Sequence, residues 1–147
     1  MGFGVVSLLN AVFRRMFTSA GLRPASATVD ADDTTIHFWA HPSLLQPSSS
    51  SEQQQQPRPV VVLIHGFGLD PTWQWAAQAG PLSLHFDLVV PTLLFFGASA
   101  TRALDRSDAF QAAALAALLT GFRVACFLAT GSRFAPPRPP PPPPSFY

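Results

Sequence analysis

The hydrophobic positions along this chain change rhythm several times, and each change marks an element. Val5, Leu8, Leu9, Val12, Phe13 and Phe17 recur at helical spacing, which predicts an amphipathic helix within residues 1–19. Thr34 to Ala40 alternates apolar and polar residues and predicts a strand, with Ala27 to Asp30 as its antiparallel partner and Asp32-Asp33 in the turn. Pro59 to His65 is instead almost continuously apolar, as is Phe86 to Pro91, and such runs suit strands covered on both faces. Between them Thr72 can cap a short helix through about Gln78, ended by Gly80-Pro81. After a loop from Thr92 to Ala103, Asp105 or Ser107 caps a helix with Phe110, Ala114, Leu115, Leu118 and Leu119 on its apolar face, and Gly121 stops it. Phe122 to Leu128 reads as one more strand. The order β–β–β–α–β–α–β predicts an α/β domain whose mainly parallel sheet is opened by an antiparallel hairpin.

Composition narrows the domain and its partners. Residues 41–58 are rich in Ser, Gln and Pro and read as a low-complexity surface loop, while residues 130–147 form a proline-dominated tail that favours polyproline II and is expected to lie outside the core. The folded part is therefore expected at 20–129. With 12% charged residues and a net charge of +1, bulk electrostatics imply no nucleic-acid or other polyanionic partner. Cys126 is the only cysteine, which excludes an internal disulfide, and it forms no zinc cluster with the scattered histidines. No metal and no cofactor is expected, and Cys126 reads as a small buried strand residue. The apolar stretch at 3–17 is broken by Ser7 and Asn10, is too short to span a bilayer, and has Arg14 and Arg15 after it rather than before it, unlike a secretory signal. Gly2 lacks the Ser or Thr that myristoylation wants where Val6 stands. What remains is a helix packed on the domain or lying peripherally on a membrane; two arginines are a thin polar face for lipid, so packing and an intracellular location are favoured.

The candidate chemistry sits where the run Pro59 to Ile64 empties into His65-Gly66-Phe67-Gly68. Acyl transfer builds negative charge on a carbonyl oxygen, and prepositioned backbone N–H groups stabilise it. The ordered set Ala20-Gly21-Leu22-Arg23-Pro24, His37-Phe38-Trp39, Leu63-Ile64-His65-Gly66-Phe67-Gly68, Trp73-Gln74-Trp75, Phe86 to Pro91, Leu94-Phe95-Phe96-Gly97, Asp105-Arg106-Ser107 and Ala109-Phe110-Gln111 resembles the N-terminal part of an α/β-hydrolase, most closely a plant lipase- or esterase-like branch. The resemblance implies an incomplete α/β-hydrolase sheet and an acyl ester or lipid, of the acylglycerol type, as substrate. It gives Phe67 the first oxyanion donor, in a motif with His65, Gly66 and Gly68, and brings Phe95 and Phe96 near the acyl pocket. In this chain, which lacks the rest of the apparatus, a plain strand-to-helix turn with His65 as a hydrogen-bonding brace is the favoured reading of the motif.

The rest of the apparatus of a serine hydrolase is missing from these 147 residues. The family's nucleophile stands in a Gly-x-Ser-x-Gly elbow, whereas Ser132 is flanked by Thr130 and Phe134 and followed by Pro136, which forbids the next helix. No Asp, Glu or His follows Asp108, so neither acid nor histidine of a triad is in family order, and no catalytic residue can be assigned. Thr92 stands where related sequences commonly carry Asp, which leaves the hydrogen bonding of its loop open. Trp73 and Trp75 read as core rather than as ligand platforms. Arg133-x-x-Pro136-x-x-Pro139 fits the spacing recognised by aromatic-grooved proline-binding modules, a pattern common by chance in such tails. Two functions compete: a shortened ester or lipid hydrolase, inactive as it stands, and a non-catalytic interaction protein that uses the half-domain and the tail as binding surfaces.

Overall fold

Alternate side chains of the two central strands point into different cores, and this organises the molecule. A computed structural model describes residues 3–46, 58–66, 70–122 and 124–129, for Phe3 and residues 125–129 the backbone alone. Its elements are α1 (Phe3–Ser19), β1 (Arg23–Thr28), β2 (Thr35–Ala40), a 3-10 turn (Pro42–Leu44), β3 (Val60–Ile64), α2 (Pro71–Ser83), β4 (Asp87–Pro91), α3 (Asp108–Leu119) and β5 (Val124–Ala129). The five strands form one sheet in the order β1-β2-β4-β3-β5. β2 runs antiparallel to both β1 and β4, while β3 pairs in parallel with β4 and with β5. The crossover helices α2 and α3 each return the chain to a parallel strand, as parallel pairing requires.

Val60 and Val62 of β3 and Val89 of β4 join Ile36, Phe38 and Ala40 of β2 beneath Ala114, Leu118 and Leu119 of α3. Val61 and Leu63, with Leu88 and Val90, face the opposite way against Phe17 of α1, Leu22, and Trp75 and Ala79 of α2. Continuous apolar runs in β3 and β4 are thus the signature of strands sandwiched between two helical layers. Each such Val or Leu contributes roughly 1.5–3 kcal/mol by leaving water.

The fold expected from the sequence, an antiparallel hairpin opening a parallel α/β sheet, is the one observed, with three local corrections. β1 begins at Arg23 rather than Ala27, and its partner register runs from Arg23 opposite Ala40 to Thr28 opposite Thr35. Pro24 weakens the strand signal of this segment, but β1 is an edge strand, where a missing N–H costs no ladder bond. The turn is closed by Asp30, whose Oδ1 accepts from the amides of Asp32 and Thr34 at 3.0 Å each, with Asp33 in the left-handed region at φ 53°. Second, Asp70 rather than Thr72 caps α2: its Oδ1 accepts from the Thr72 amide at 2.9 Å and from the Thr72 hydroxyl at 2.6 Å, with Pro71 preset in the first turn. Third, α2 runs through Gly80-Pro81 to Ser83. Proline removes one backbone bond there, to the carbonyl four residues earlier, and that residue, Ala77, is exposed to water. Ser107 caps α3, accepting from the Phe110 amide at 3.1 Å.

α1 packs on the domain with one side. Phe17 is fully buried and edge-on to Trp39, with ring centroids 5.5 Å apart, and Phe13 meets Trp73 at 5.1 Å. Asn10, one of the residues that breaks the apolar run, accepts from the indole N–H of Trp73. Trp73 is half-buried against α1, and Trp75 is buried in the core between this helical layer and the sheet. Among the described residues no helix is long and apolar enough to cross a membrane. Residues 47–57 of the low-complexity loop, and the tail from residue 130 with Ser132 and Arg133 to Pro139, lie outside the described residues. Cys126 falls within β5, its side chain outside what is described.

Candidate functional site

His65 follows the last residue of β3 and is almost completely buried, with 2% of its surface exposed. Its Nε2 lies 2.9 Å from the amide nitrogen of Leu93, and its Nδ1 lies 2.8 Å from the carbonyl oxygen of Gly66. An amide can only donate, so Nε2 is the acceptor and Nδ1 carries the proton that it donates to Gly66. Burial pushes the imidazole below the ordinary histidine pKa, opposed by the Gly66 hydrogen bond and the charge of Asp70. Both ring nitrogens are engaged and the ring is neutral. His65 therefore braces the turn after β3 against the loop after β4, and as held here it has no lone pair with which to act as a base.

The turn is held from its other side by α2. Gln74 Oε1 accepts from the Gly66 amide at 2.8 Å, so the Gly66 N–H is already satisfied by the protein. Phe67 and Gly68, the expected donor and its flanking glycine, lie outside the described residues. The structure places His65 and Gly66 at the C-terminal end of a central parallel strand, where open α/β sheets bind ligands.

Phe96 and Phe95 are separated by the backbone between them. Phe96 is half-buried and stands perpendicular to His65 with centroids 5.4 Å apart, against the turn. Phe95 is exposed, adopts φ 71°, and has the Arg106 guanidinium 4.5 Å above its ring. A bulky residue in the left-handed region is strained, and such strain persists only where neighbours over-determine it. Gly97, also left-handed at φ 53°, follows; a Cβ there would stand 3.2 Å from Thr92 Cγ2.

The loop is stitched to β2 despite Thr92. The Thr92 amide donates to the His37 carbonyl at 2.8 Å, and the Ser99 hydroxyl donates to the Thr92 carbonyl at 2.7 Å while accepting from the His37 amide at 2.9 Å. The open question of this loop's hydrogen bonding is thus answered by backbone groups and Ser99 rather than by the residue 92 side chain. Thr35 and Ala100 exchange backbone bonds of 2.8 and 3.0 Å, which ties the far end of the loop to the hairpin. Beside it is a cavity of about 190 Å³ bordered by Trp39, Asp70, Thr92 and Gly97. It is smaller than the roughly 300–1,000 Å³ of small-molecule sites.

Sequence reasoning missed a second histidine of the same kind. His41 Nδ1 accepts from the Leu88 amide at 2.7 Å, and its Nε2 donates to the Ala20 carbonyl at 3.2 Å. Burial lowers its pKa, opposed by the Ala20 hydrogen bond. Its only local signal is its position directly after an alternating strand. Among the described residues no group of three or more His, Cys, Asp or Glu side chains could hold a metal ion.

No protein-family model matches the sequence, and no curated protein matches it. Solved structures do. A bacterial membrane phospholipase A, described as a virulence factor, superimposes with a TM-score of 0.60 at 26% identity over 87% of this chain and 37% of its own. A candidate lipase from Acinetobacter baumannii AYE gives a TM-score of 0.56 at 22% identity, covering 75% of this chain and 32% of its own. The Cif epoxide hydrolase from Acinetobacter nosocomialis gives 0.50 at 17% identity, covering 76% and 34%. The chain spans about a third of the length of each of these three structures. Its sheet and crossover helices are those of the α/β-hydrolase fold, of which the chain spans a part.

Proposed function

We propose that this chain is the oxyanion-loop part of a carboxylic-ester or lipid hydrolase of the acylglycerol type, and that residues 1–147 do not turn over substrate by themselves. The observation that carries the reading is the braced turn: His65 and Gln74 fix Gly66 at the end of β3. Gly66 leads into the segment where the resemblance puts the Phe67 N–H as an oxyanion donor, flanked by glycines that would let a substrate carbonyl approach. Phe96, packed on His65, would form the inner wall of the acyl site and Phe95 its rim. The phospholipase neighbour supports a lipid ester over other bonds, and the epoxide hydrolase shows that the shared fold also hosts different chemistry. The nucleophile, acid and histidine would come from a longer form of the protein. The likeness to a plant lipase- or esterase-like branch rests on the sequence motifs.

The experiment is hydrolysis of a short p-nitrophenyl ester by the purified chain. The expected rate equals the buffer rate, with Ser132→Ala unchanged, because oxyanion donors alone have nothing to attack with. Turnover that disappears on Ser132→Ala would make that serine a nucleophile and overturn the reading. Transcript sequencing across codons 118–135 tests the longer form: a Gly-x-Ser-x-Gly in another frame or isoform supports it. Its absence favours the non-catalytic alternative, for which an apolar groove of about 510 Å³ on α3, lined by Leu115, Leu119, Phe122 and Val124, offers a binding surface.

A further inference from the structure

Helix α1 has two apolar faces, and the fold covers one. Asn10, Phe13 and Phe17 turn toward α2 and the sheet. Val6, toward the start of that side, is 52% exposed, and on the other side Val5, Leu8, Leu9, Val12 and Met16 remain 64, 65, 36, 45 and 40% exposed. Their spacing of three, one, three and four residues gathers them in a single stripe roughly 100° wide on a helix of 3.6 residues per turn. Beyond the stripe, a groove of about 560 Å³ continues the apolar surface between α1 and α2, where Val12 and Met16 face Ala76, Gly80, Pro81 and Leu84. Leu84 at its rim is 75% exposed.

The charged side chain that lines this groove is basic. Arg15 borders the stripe and the groove, no acidic side chain lines the groove, and Arg14, on the opposite side of the helix, borders another cavity with Asp70. The stripe contains aliphatic side chains and a methionine but no Tyr or Trp anchor of the kind that dominates protein–protein contacts. We propose that α1 lies in the headgroup plane of an anionic lipid bilayer, with Leu8 and Val12 in the inserted stripe and Arg15 at the phosphate level. The thin polar face argued against lipid when the helix was considered alone. In the folded chain the docked side no longer has to be polar, because protein covers it, and the uncovered side is the apolar one. The proposal goes beyond the hydrolase reading and does not depend on it, since binding is read without turnover.

The test is vesicle flotation of the full 147-residue chain, with phosphatidylcholine alone and with phosphatidylcholine carrying about a third phosphatidylserine. An arginine near an anionic surface strengthens binding roughly fivefold, so binding to anionic vesicles should exceed that to neutral ones by about fivefold. Leu8→Asp combined with Val12→Asp should abolish flotation with an unchanged far-ultraviolet circular dichroism spectrum. If that pair unfolds the chain, Arg15→Gln, at an exposed position, serves instead and should weaken binding about fivefold. Leu104, 92% exposed and on another loop, controls for general stickiness: Leu104→Asp should bind as the parent does. Equal binding to both vesicle types, no binding, or equal loss on Leu104→Asp would overturn the proposal. So would stripe variants that turn an oligomer into a monomer while vesicle binding persists, which would assign the face to a second copy.

Discussion

The two ends of β4 are held by the same chemistry used for different purposes. At its start the Leu88 amide donates to His41, whose other nitrogen reaches the Ala20 carbonyl at the junction of α1 with β1. Just beyond its end the Leu93 amide donates to His65, whose other nitrogen reaches the Gly66 carbonyl in the turn after β3. The tautomers are opposite: His41 accepts at Nδ1 and donates at Nε2, and His65 does the reverse. The first brace joins the N-terminal helix to the sheet; the second joins two loops at the candidate site. A histidine in a hydrolase-like motif is therefore not by itself a catalytic group. Its partners decide.

Removing either ring should have the largest effect. His41→Ala and His65→Ala each leave a buried amide and a carbonyl without a partner and open a void, so each should lower unfolding free energy by about 3 kcal/mol. Urea midpoints measure this. The comparison breaks if one of the two is silent, since the two braces would then not be equivalent.

Acid should undo both braces together. Burial holds both imidazoles below the ordinary value of 6.5, so the fold favours their neutral forms. The sign follows: this stabilisation is full above the unfolded-state pKa and is lost as the pH falls through the lower folded value, because a proton on the accepting nitrogen meets an amide N–H. Urea midpoints should therefore fall between pH 8 and pH 5, and less steeply in a His41→Asn/His65→Gln double variant. An equal slope in that variant would place the acid sensitivity elsewhere.

Isosteres sharpen the contrast between tautomers. Asn Oδ1 can replace Nδ1 as an acceptor and Gln Oε1 can replace Nε2. His41→Asn should thus retain about 1 kcal/mol more stability than His41→Gln, with the order reversed at position 65. The same order at both positions would mean that one tautomer is misassigned. The smallest effects concern the hydroxyls at the two ends. Ser99 bridges the His37 amide and the Thr92 carbonyl in a buried position, and Ser99→Ala should cost about 1–2 kcal/mol. Exposed Ser43 donates to Asp87 Oδ2 at 2.9 Å, and Ser43→Ala should cost about 0.5 kcal/mol. Comparable losses would show that the two ends are equally dry.

Much of this was legible in local pattern. Val60 to Ile64 and Asp87 to Pro91 announce central strands because a strand covered on both faces can have no polar side, and Ser107 announces α3 because an N-cap acts within a few residues of itself. The elements, the α/β class and the place of the His-Gly turn are set by such short-range rules. Tertiary structure decided the rest. Pro24 could belong to a strand only because β1 turned out to be an edge, and Pro81 to a helix only because Ala77 faces water. The apolar stripe of α1 is visible in the sequence, but which of its sides is covered depends on where Trp39 and Trp73 stand. The roles of His41 and His65 were fixed by amides 47 and 28 residues away. A side chain's proton state and function depend on the groups that surround it, and the fold, not the spacing along the chain, brings those groups together.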